Sequence, residues 1–298
     1  MRVRPVAPAV ALLMALAACA VTSPMADGKI SELGLFEPGV PESYTPVADF
    51  SSASGVRPNL DVYYSGWYEP FHAEFAADAA RHGAVTLVQI NPTGIDLAAI
   101  ATGTYDTYLR SYAVAVCSAG RRVILSFGHE MNASWYSWGF THASPAAFVA
   151  AWRHIVMLFH AAGASNVSWL WTVNVTNWPS HVAAIAPWWP GDAYVTWVGL
   201  DGYYYRPSQT FGTLFGPTIT ATRALTSDPV LIAETGVAPA AGKPAKIADL
   251  FAGVHAYGLL GLVWFDAVTQ RDWRISGDPA AVAALRTGAA AYMKGHPS

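Results

Sequence analysis

Hydrophobic residues along the chain fall into two alternating patterns. Short, β-rich apolar runs cover 33–36, 60–65, 85–90, 122–127, 167–173, 195–200, 230–232 and 260–265. Between them lie stretches with apolar residues three and four positions apart, among them 71–81, 97–118, 145–162 and, after the last run, 279–294. The first pattern predicts strands and the second predicts helices with one buried face. Ser144 before Pro145, and Gly163 beyond the apolar face, mark the two ends of one such helix. Strands that alternate with helices pair in parallel through crossover connections. The eight runs therefore predict an α/β chain folded as a single (β/α)8 TIM barrel. A doubly wound open sheet is the competing fold, but no Gly-x-Gly-x-x-Gly turn follows the first run. No second domain or internal repeat is visible.

The first residues read differently. Arg2 and Arg4 precede an apolar run over 10–18 that is too brief to span a bilayer comfortably, and the run ends in Leu16-Ala17-Ala18-Cys19. These four residues resemble the bacterial lipoprotein box, in which the cysteine is lipidated and becomes the new N-terminus. The expected division is a lipoprotein-type signal peptide over 1–18, a linker over 19–30 that begins at lipidated Cys19, and the barrel over 31–298. The mature chain is expected to be exported to the cell envelope or its outer face, touching the membrane only through that anchor. Cys117 is the other cysteine, so lipidation of Cys19 leaves it no partner for an intramolecular disulfide. It lies in an apolar helical stretch and is expected to be a small buried hydrophobe.

Composition narrows the ligand. Charged residues make up 12% of the chain, the formal net charge is -3, and no basic cluster exceeds Arg121-Arg122. Nothing supplies the positive field that nucleic acid or an acidic polymer requires. Aromatic residues reach 13%, with 12 Trp, 14 Tyr and 12 Phe. That suits either a large aromatic core or a groove whose rings stack on the apolar faces of sugars. A neutral ligand fits, and no protein partner is implied.

In a barrel of this kind the reactive side chains sit where strands end and loops begin. Two of the runs lead into a glutamate, at Phe127-Gly128-His129-Glu130 and at Ile232-Ala233-Glu234. An acid at the end of an apolar strand is costly unless paired or solvated. Two such acids facing one sugar can cleave a glycosidic bond. A protonated carboxyl gives its proton to the leaving oxygen, and an ionised one attacks the anomeric carbon, with retention when the pair is about 5 to 5.5 Å apart. For either glutamate alone, a hydrogen-bonded strand end or an ion pair is the plainer explanation.

The segment His129-Glu130-Met131-Asn132-Ala133-Ser134-Trp135-Tyr136-Ser137-Trp138 resembles the signature His-Glu-Met-Asn-Gly-x-Trp-[Tyr/Phe]-x-Trp of glycoside hydrolase family 26, whose best known members are endo-β-1,4-mannanases. Asp201-Gly202-Tyr203, Glu234-Thr235-Gly236 and Trp264-Phe265 follow in that family's order, while Ala133 stands where the signature has glycine. The resemblance implies a retaining glycosidase with Glu130 as acid/base and Glu234 as nucleophile. His129 is then expected to hold the sugar or steady the nucleophile. Tyr203 donates its phenol to Glu234, with Tyr204 and Tyr205 as alternatives in register. Trp264 forms the floor under the sugar being cleaved and Trp135 stacks in a neighbouring subsite, while Asn132 and Trp138 are further groove candidates. Gln89 and Asn91 could take sugar hydroxyls, and Trp188-Trp189 is either a rim platform or helix packing. The histidine and each tryptophan also have a core alternative. The expected substrate is a β-linked polysaccharide, mannan first, with β-glucan, xylan or a cell-envelope glycan open on the same site. No metal and no organic cofactor are expected, because two carboxylates supply acid, base and nucleophile.

Other chemistries lack their residues. Glu130 is not followed by the second histidine of a zinc peptidase helix, and Gly236 and Gly242 enclose five residues where a P-loop needs four. No Gly-x-Ser-x-Gly elbow and no calcium-loop spacing occurs. A barrel that binds a glycan without cutting it is the rival from another class. Such a barrel is expected to have lost one carboxylate, and here both are present.

Overall fold

The computed structural model describes residues 32–177 and 180–295. The expected signal peptide over 1–18, Cys19 and the linker over 19–30 lie outside the described residues. Eight strands are present: β1 (Glu32–Phe36), β2 (Leu60–Gly66), β3 (Val85–Asn91), β4 (Val123–Phe127), β5 (Val167–Asn174), β6 (Trp197–Asp201), β7 (Val230–Thr235) and β8 (Gly261–Phe265). They pair in sequence order, all in parallel, and β8 closes onto β1 with Leu35 opposite Trp264 and Phe36 opposite Phe265. The fold is a single (β/α)8 barrel.

Apolar runs suit this arrangement because each strand is buried on both faces. One face turns inward, where Leu60, Val62, Leu87, Ile124, Leu170, Trp197, Leu231, Ala233 and Val263 form the interior cluster. The other turns outward, where Val88, Leu125, Trp171, Leu200 and Ile232 meet the helices in a larger core. Each such aliphatic or aromatic side chain, fully buried, stabilises the fold by about 1.5–3 kcal/mol. Space inside is tight at Gly199, where an added Cβ would lie 2.5 Å from Thr172 Oγ1 and 2.9 Å from Ala233 Cβ. Only glycine fits there.

The helices follow the predicted positions with one difference. The stretch 97–118 forms two helices, Leu97–Ala101 and Asp106–Ser118, separated where Gly103 adopts φ 85°. A left-handed residue cannot continue an α-helix, so the chain turns and places Tyr105 and Tyr108 at the start of the second helix. Helix Pro145–Ala161 begins as read, with the Ser144 hydroxyl accepting from Ala147 N at 3.2 Å. Cys117 is half-buried rather than buried, its sulfur 3.7 Å from the Gly163 carbonyl oxygen. Among the described residues no helix is long and apolar enough to cross a membrane.

Candidate active site

Inward-facing positions alternate along each strand, so the last of them stands at the barrel mouth. On β1, β2, β5 and β8 these residues are Phe36, Tyr64, Asn174 and Phe265. They line one open cavity of about 910 Å³ together with Glu130, Glu234, Trp135, Tyr136, Tyr203 and Tyr205.

Glu234 reaches that cavity through a break in the ladder. With Leu231 and Ala233 both facing the interior, strict alternation would turn Glu234 toward the helices. The register shifts between Leu200 and Asp201 on one side of β7, and between Ile232 and Thr235 on the other. These bulges re-aim the carboxylate into the mouth. Two phenols meet it there: Tyr203 donates to Oε1 and Tyr64 donates to Oε2. Burial pushes the Glu234 carboxyl above its ordinary range, and the hydrogen bonds from Tyr203 and Tyr64 pull it back by favouring the ionised form.

Glu130 stands just beyond the end of β4. Gly128 (φ 56°) and Glu130 (φ 53°) both take left-handed conformations, unusual for a non-glycine residue. Backbone bonds hold the turn, from Gly128 N to Ile90 O at 2.8 Å and from Glu130 N to Thr172 O at 2.9 Å. Oε1 accepts from Asn174 Nδ2 at 2.6 Å and Oε2 from Trp135 Nε1 at 2.6 Å. Burial first, and then the nearby Glu234 charge, raise this carboxyl to about 8, against the opposing pull of Asn174 and Trp135. One cavity thus holds a carboxyl that keeps its proton at neutrality and a carboxylate dressed by two phenols.

Beneath the pair lie His129 and Asp201. Buried His129 is held neutral, its pKa lowered to about 3 by burial, and its Nε2 meets Tyr136 Oη at 3.1 Å. Asp201 is fully buried, and burial, then Glu234 and Glu130, raise it well above the carboxylate range. Ligand-type atoms of His129, Asp201 and Glu234 lie within 4.8 Å of one another. Both oxygens of Glu234 are already addressed by phenol protons, an arrangement that suits a carboxylate poised for chemistry better than a cation ligand.

The structure brings Glu130, Glu234, Trp135 and Tyr203 together at the cavity, and it places the other predicted residues differently. Trp135 is 49% exposed and forms part of the wall. Tyr203 is the phenol on Glu234. Tyr204 is buried and donates to Asp249 Oδ2 at 3.1 Å instead, and Tyr205 lines the rim. His129 sits beside Glu234 and Asp201 rather than in the cavity wall. Asn132 is a correction: it is fully buried, with Oδ1 accepting from Asn174 N at 2.9 Å and Nδ2 donating to Asn174 O at 2.9 Å. It fixes the residue that binds Glu130 and is not in the groove. Trp138 is a second correction. It stacks flat under Tyr136 at 4.3 Å and donates to the His129 carbonyl at 2.8 Å, so it supports the turn from behind.

Trp264 is a third correction. It is 1% exposed in the outer core, and its indole N–H goes to Asp266 Oδ1 at 3.1 Å. Its strand neighbour Phe265 faces the mouth, stacked on Phe36 at 4.7 Å. Alternation explains the error, since a shift of one residue moves a side chain to the other face of a strand. Gln89 is fully buried inside the barrel, Asn91 is half-buried, and neither lines the cavity. Trp188 and Trp189 pack against Phe148 and Trp171, as helix packing rather than a rim. Ala133 fits without disturbing the loop, which is pinned by a bridge from Ala133 to Val182 and by Ser134 N to His181 O at 2.9 Å. Tyr64, Asn174 and Phe265 were missed as contacts; counting alternate positions along each run is the signal that finds them.

Comparison with known proteins agrees with this geometry. Residues 116–241 match the model of glycosyl hydrolase family 26. Endoglucanase H of Acetivibrio thermocellus is 27% identical over 264 residues, covering 83% of this chain and 29% of that protein. A beta-1,3-xylanase of a Vibrio species is 26% identical over 205 residues, covering 64% of this chain and 43% of that protein. The chain thus spans well under half the length of these relatives. Among solved structures, a GH26 beta-mannanase from Bacteroides ovatus superposes with a TM-score of 0.63 at 15% identity, covering 89% of each chain. An endo-beta-1,4-mannanase from Cellulomonas fimi gives 0.66 at 18% identity, covering 88% of this chain and 71% of that one. Signature, mouth geometry and family match converge on glycosyl hydrolase family 26, whose model the chain matches over residues 116–241.

Proposed function

We propose that this protein is a retaining glycoside hydrolase that cleaves a β-linked polysaccharide by double displacement. The observation that carries the reading is the opposite dressing of two carboxyls in one cavity. Glu130 is pushed to about 8, while Glu234 accepts from two phenols. In the first step Glu130 gives its proton to the glycosidic oxygen, Glu234 attacks the anomeric carbon, and the C–O bond to the leaving sugar breaks. The glycosyl ester removes the charge of Glu234, and with it part of what kept Glu130 protonated. Glu130 then takes a proton from water as the water oxygen bonds to the anomeric carbon, the bond from that carbon to Glu234 breaks, and Glu234 departs as a carboxylate received again by Tyr64 and Tyr203. Proton NMR of fresh product tests this: a β-anomer formed first supports retention, and an α-anomer formed first overturns it.

For the substrate we propose a β-1,4-linked backbone, mannan first. The signature around Glu130 and a 33% identical stretch of 86 residues in a mannan endo-1,4-beta-mannosidase from Caldalkalibacillus mannanilyticus support it. Glucan is the second reading, because the relative covering 83% of this chain is named an endoglucanase. A product profile on manno-, gluco- and xylo-oligosaccharides separates them. Polysaccharide retention without release of reducing ends would favour a binding barrel instead. We further propose export and lipid anchoring at Cys19, supported by the residue pattern over 1–19. Labelled palmitate incorporated by the wild type and lost in Cys19→Ser tests it.

A further inference from the structure

Four aromatic rings gather on the catalytic face outside the cavity. β2 ends at Gly66, and the next residues are Trp67 and Tyr68. Tyr105 and Tyr108 come from the start of helix Asp106–Ser118, after the break at Gly103. Trp67 lies 5.5 Å from Tyr105 and 5.1 Å from Tyr108, and Tyr68 lies 6.2 Å and 5.2 Å from the same two rings. Three of the rings are half-buried, and Tyr68 is 61% exposed.

Tyr68 also adopts φ 72°, a backbone state disfavoured for a bulky side chain. A strained backbone that holds a large ring mostly in water gains only its edge contacts with the neighbouring rings, which points to a use outside the fold. Charges beside the patch are satisfied locally. Glu69 Oε2 accepts from Gly66 N at 2.6 Å, and Asp106 is shared by Arg110 at 3.2 Å and His154 at 2.6 Å. Tyr108 Oη donates to Glu69 O at 3.4 Å, so what remains for a ligand is ring faces and the phenols of Tyr68 and Tyr105, the chemistry that suits a neutral pyranose chain. The patch stands at the same end of the barrel as the site, joined to it through the packed interior and a neighbouring loop. Trp67 lies 6.1 Å from Phe127, which precedes Gly128-His129-Glu130, and Gly94 N donates to Ser137 Oγ at 3.1 Å in the loop that carries Trp135.

We propose that Tyr68, with Trp67, Tyr105 and Tyr108 around it, is a second, non-catalytic binding surface for the β-linked polysaccharide, holding one segment while another occupies the cavity. It rests on the reading that the substrate is a neutral β-glycan. The test uses the full chain silenced by Glu234→Gln, run by electrophoresis through gels containing galactomannan, mixed-linkage β-glucan or arabinoxylan. Tyr68→Ala and Tyr68→Gly, the second of which also relieves the backbone, are expected to weaken retention about 2- to 10-fold. Tyr68→Phe is expected to retain it. In the active chain the same variants should raise KM on the polysaccharide while leaving kcat/KM on a short oligosaccharide unchanged. Unchanged retention, equal losses on polysaccharide and oligosaccharide, or a parent chain retained by none of the glycans would each overturn the proposal. Retention that depends on Tyr68 in a chain that cleaves nothing would instead refute the catalytic reading and leave this surface standing.

Discussion

The floor and the mouth of the barrel both bury carboxyl groups, and they treat them in opposite ways. At the floor Glu32 faces the Arg122 guanidinium, Nη1 to Oε1 at 3.9 Å, and that guanidinium lies over the Trp197 ring at 4.6 Å. At the mouth Glu130, Asp201 and Glu234 crowd together, and among the described residues none of them forms an ion pair with Lys, Arg or His. An acid that serves the fold can be offset by a fixed opposite charge. Acids that must gain and lose charge during a reaction are better served by donors that strengthen as charge develops, and phenols, an indole and an amide are the groups found there.

The largest break in this comparison is removal of the proposed nucleophile. Glu234→Ala should lower kcat on every glycoside by at least about 10⁴-fold, including dinitrophenyl glycosides whose leaving group needs no proton. Glu130→Ala should lose about 10²- to 10⁴-fold on polysaccharide and keep most of its activity on those activated substrates. Equal collapse of both variants on the aryl glycoside would contradict the division of roles.

A smaller effect is expected at the phenols. Tyr64→Phe and Tyr203→Phe each delete one hydrogen bond to a charged oxygen, worth about 1.5–3 kcal/mol, so kcat/KM should fall about 10- to 100-fold. The two phenols hold the Glu234 carboxyl down, so either variant should also move the acidic limb of the pH–rate profile upward. A rate loss with an unmoved acidic limb would mean that the tyrosine shapes the pocket without tuning the carboxylate. With Glu130 as the proposed acid, the basic limb should report its carboxyl, and turnover of polysaccharide should decline as pH rises past about 8. In Glu234→Gln the neighbouring charge is gone, and the Glu130 carboxyl should titrate lower by NMR.

The contrast between floor and mouth was only partly legible in the sequence. Strands declared themselves because both of their faces are buried, and parallel pairing followed from the helices between them. Glu130 and the indole of Trp135 were legible because they share one short motif, and Glu234 because it directly follows a second apolar run. Tyr64, Asn174 and Phe265 were not, because their role depends on which way a strand residue faces. Trp264 and Phe265 are neighbours of similar chemistry, and only the parity set by Gly261 and Val263 decides between them. At Glu234 even parity misleads, since the bulges on both sides of β7 reverse it. The break at Gly103 escaped for another reason: a single glycine within an apolar helical pattern is tolerated as often as it terminates.

The least effect on turnover is expected at the floor, where Glu32→Gln tests whether a raised carboxyl alone marks a catalytic group. Burial lifts Glu32 to about 7 in spite of Arg122, against an ordinary value of 4.5. The folded state therefore binds a proton there more tightly than the unfolded chain does. Its contribution to stability is complete below about pH 4.5 and is lost as pH rises through about 7, amounting to no more than about 3 kcal/mol over the whole window. Glu32→Gln cannot release that proton, so the fall of Tm between pH 5 and pH 8 should be shallower than in the wild type. Turnover of an aryl glycoside should stay within about two-fold, because the reacting atoms lie at the far end of the barrel. Glu130→Gln should flatten the Tm profile in the same sense, and it should also abolish polysaccharide cleavage. If Glu32→Gln impaired turnover as Glu130→Gln does, the two ends of the barrel would be coupled and the division between structural and reactive acids would fail.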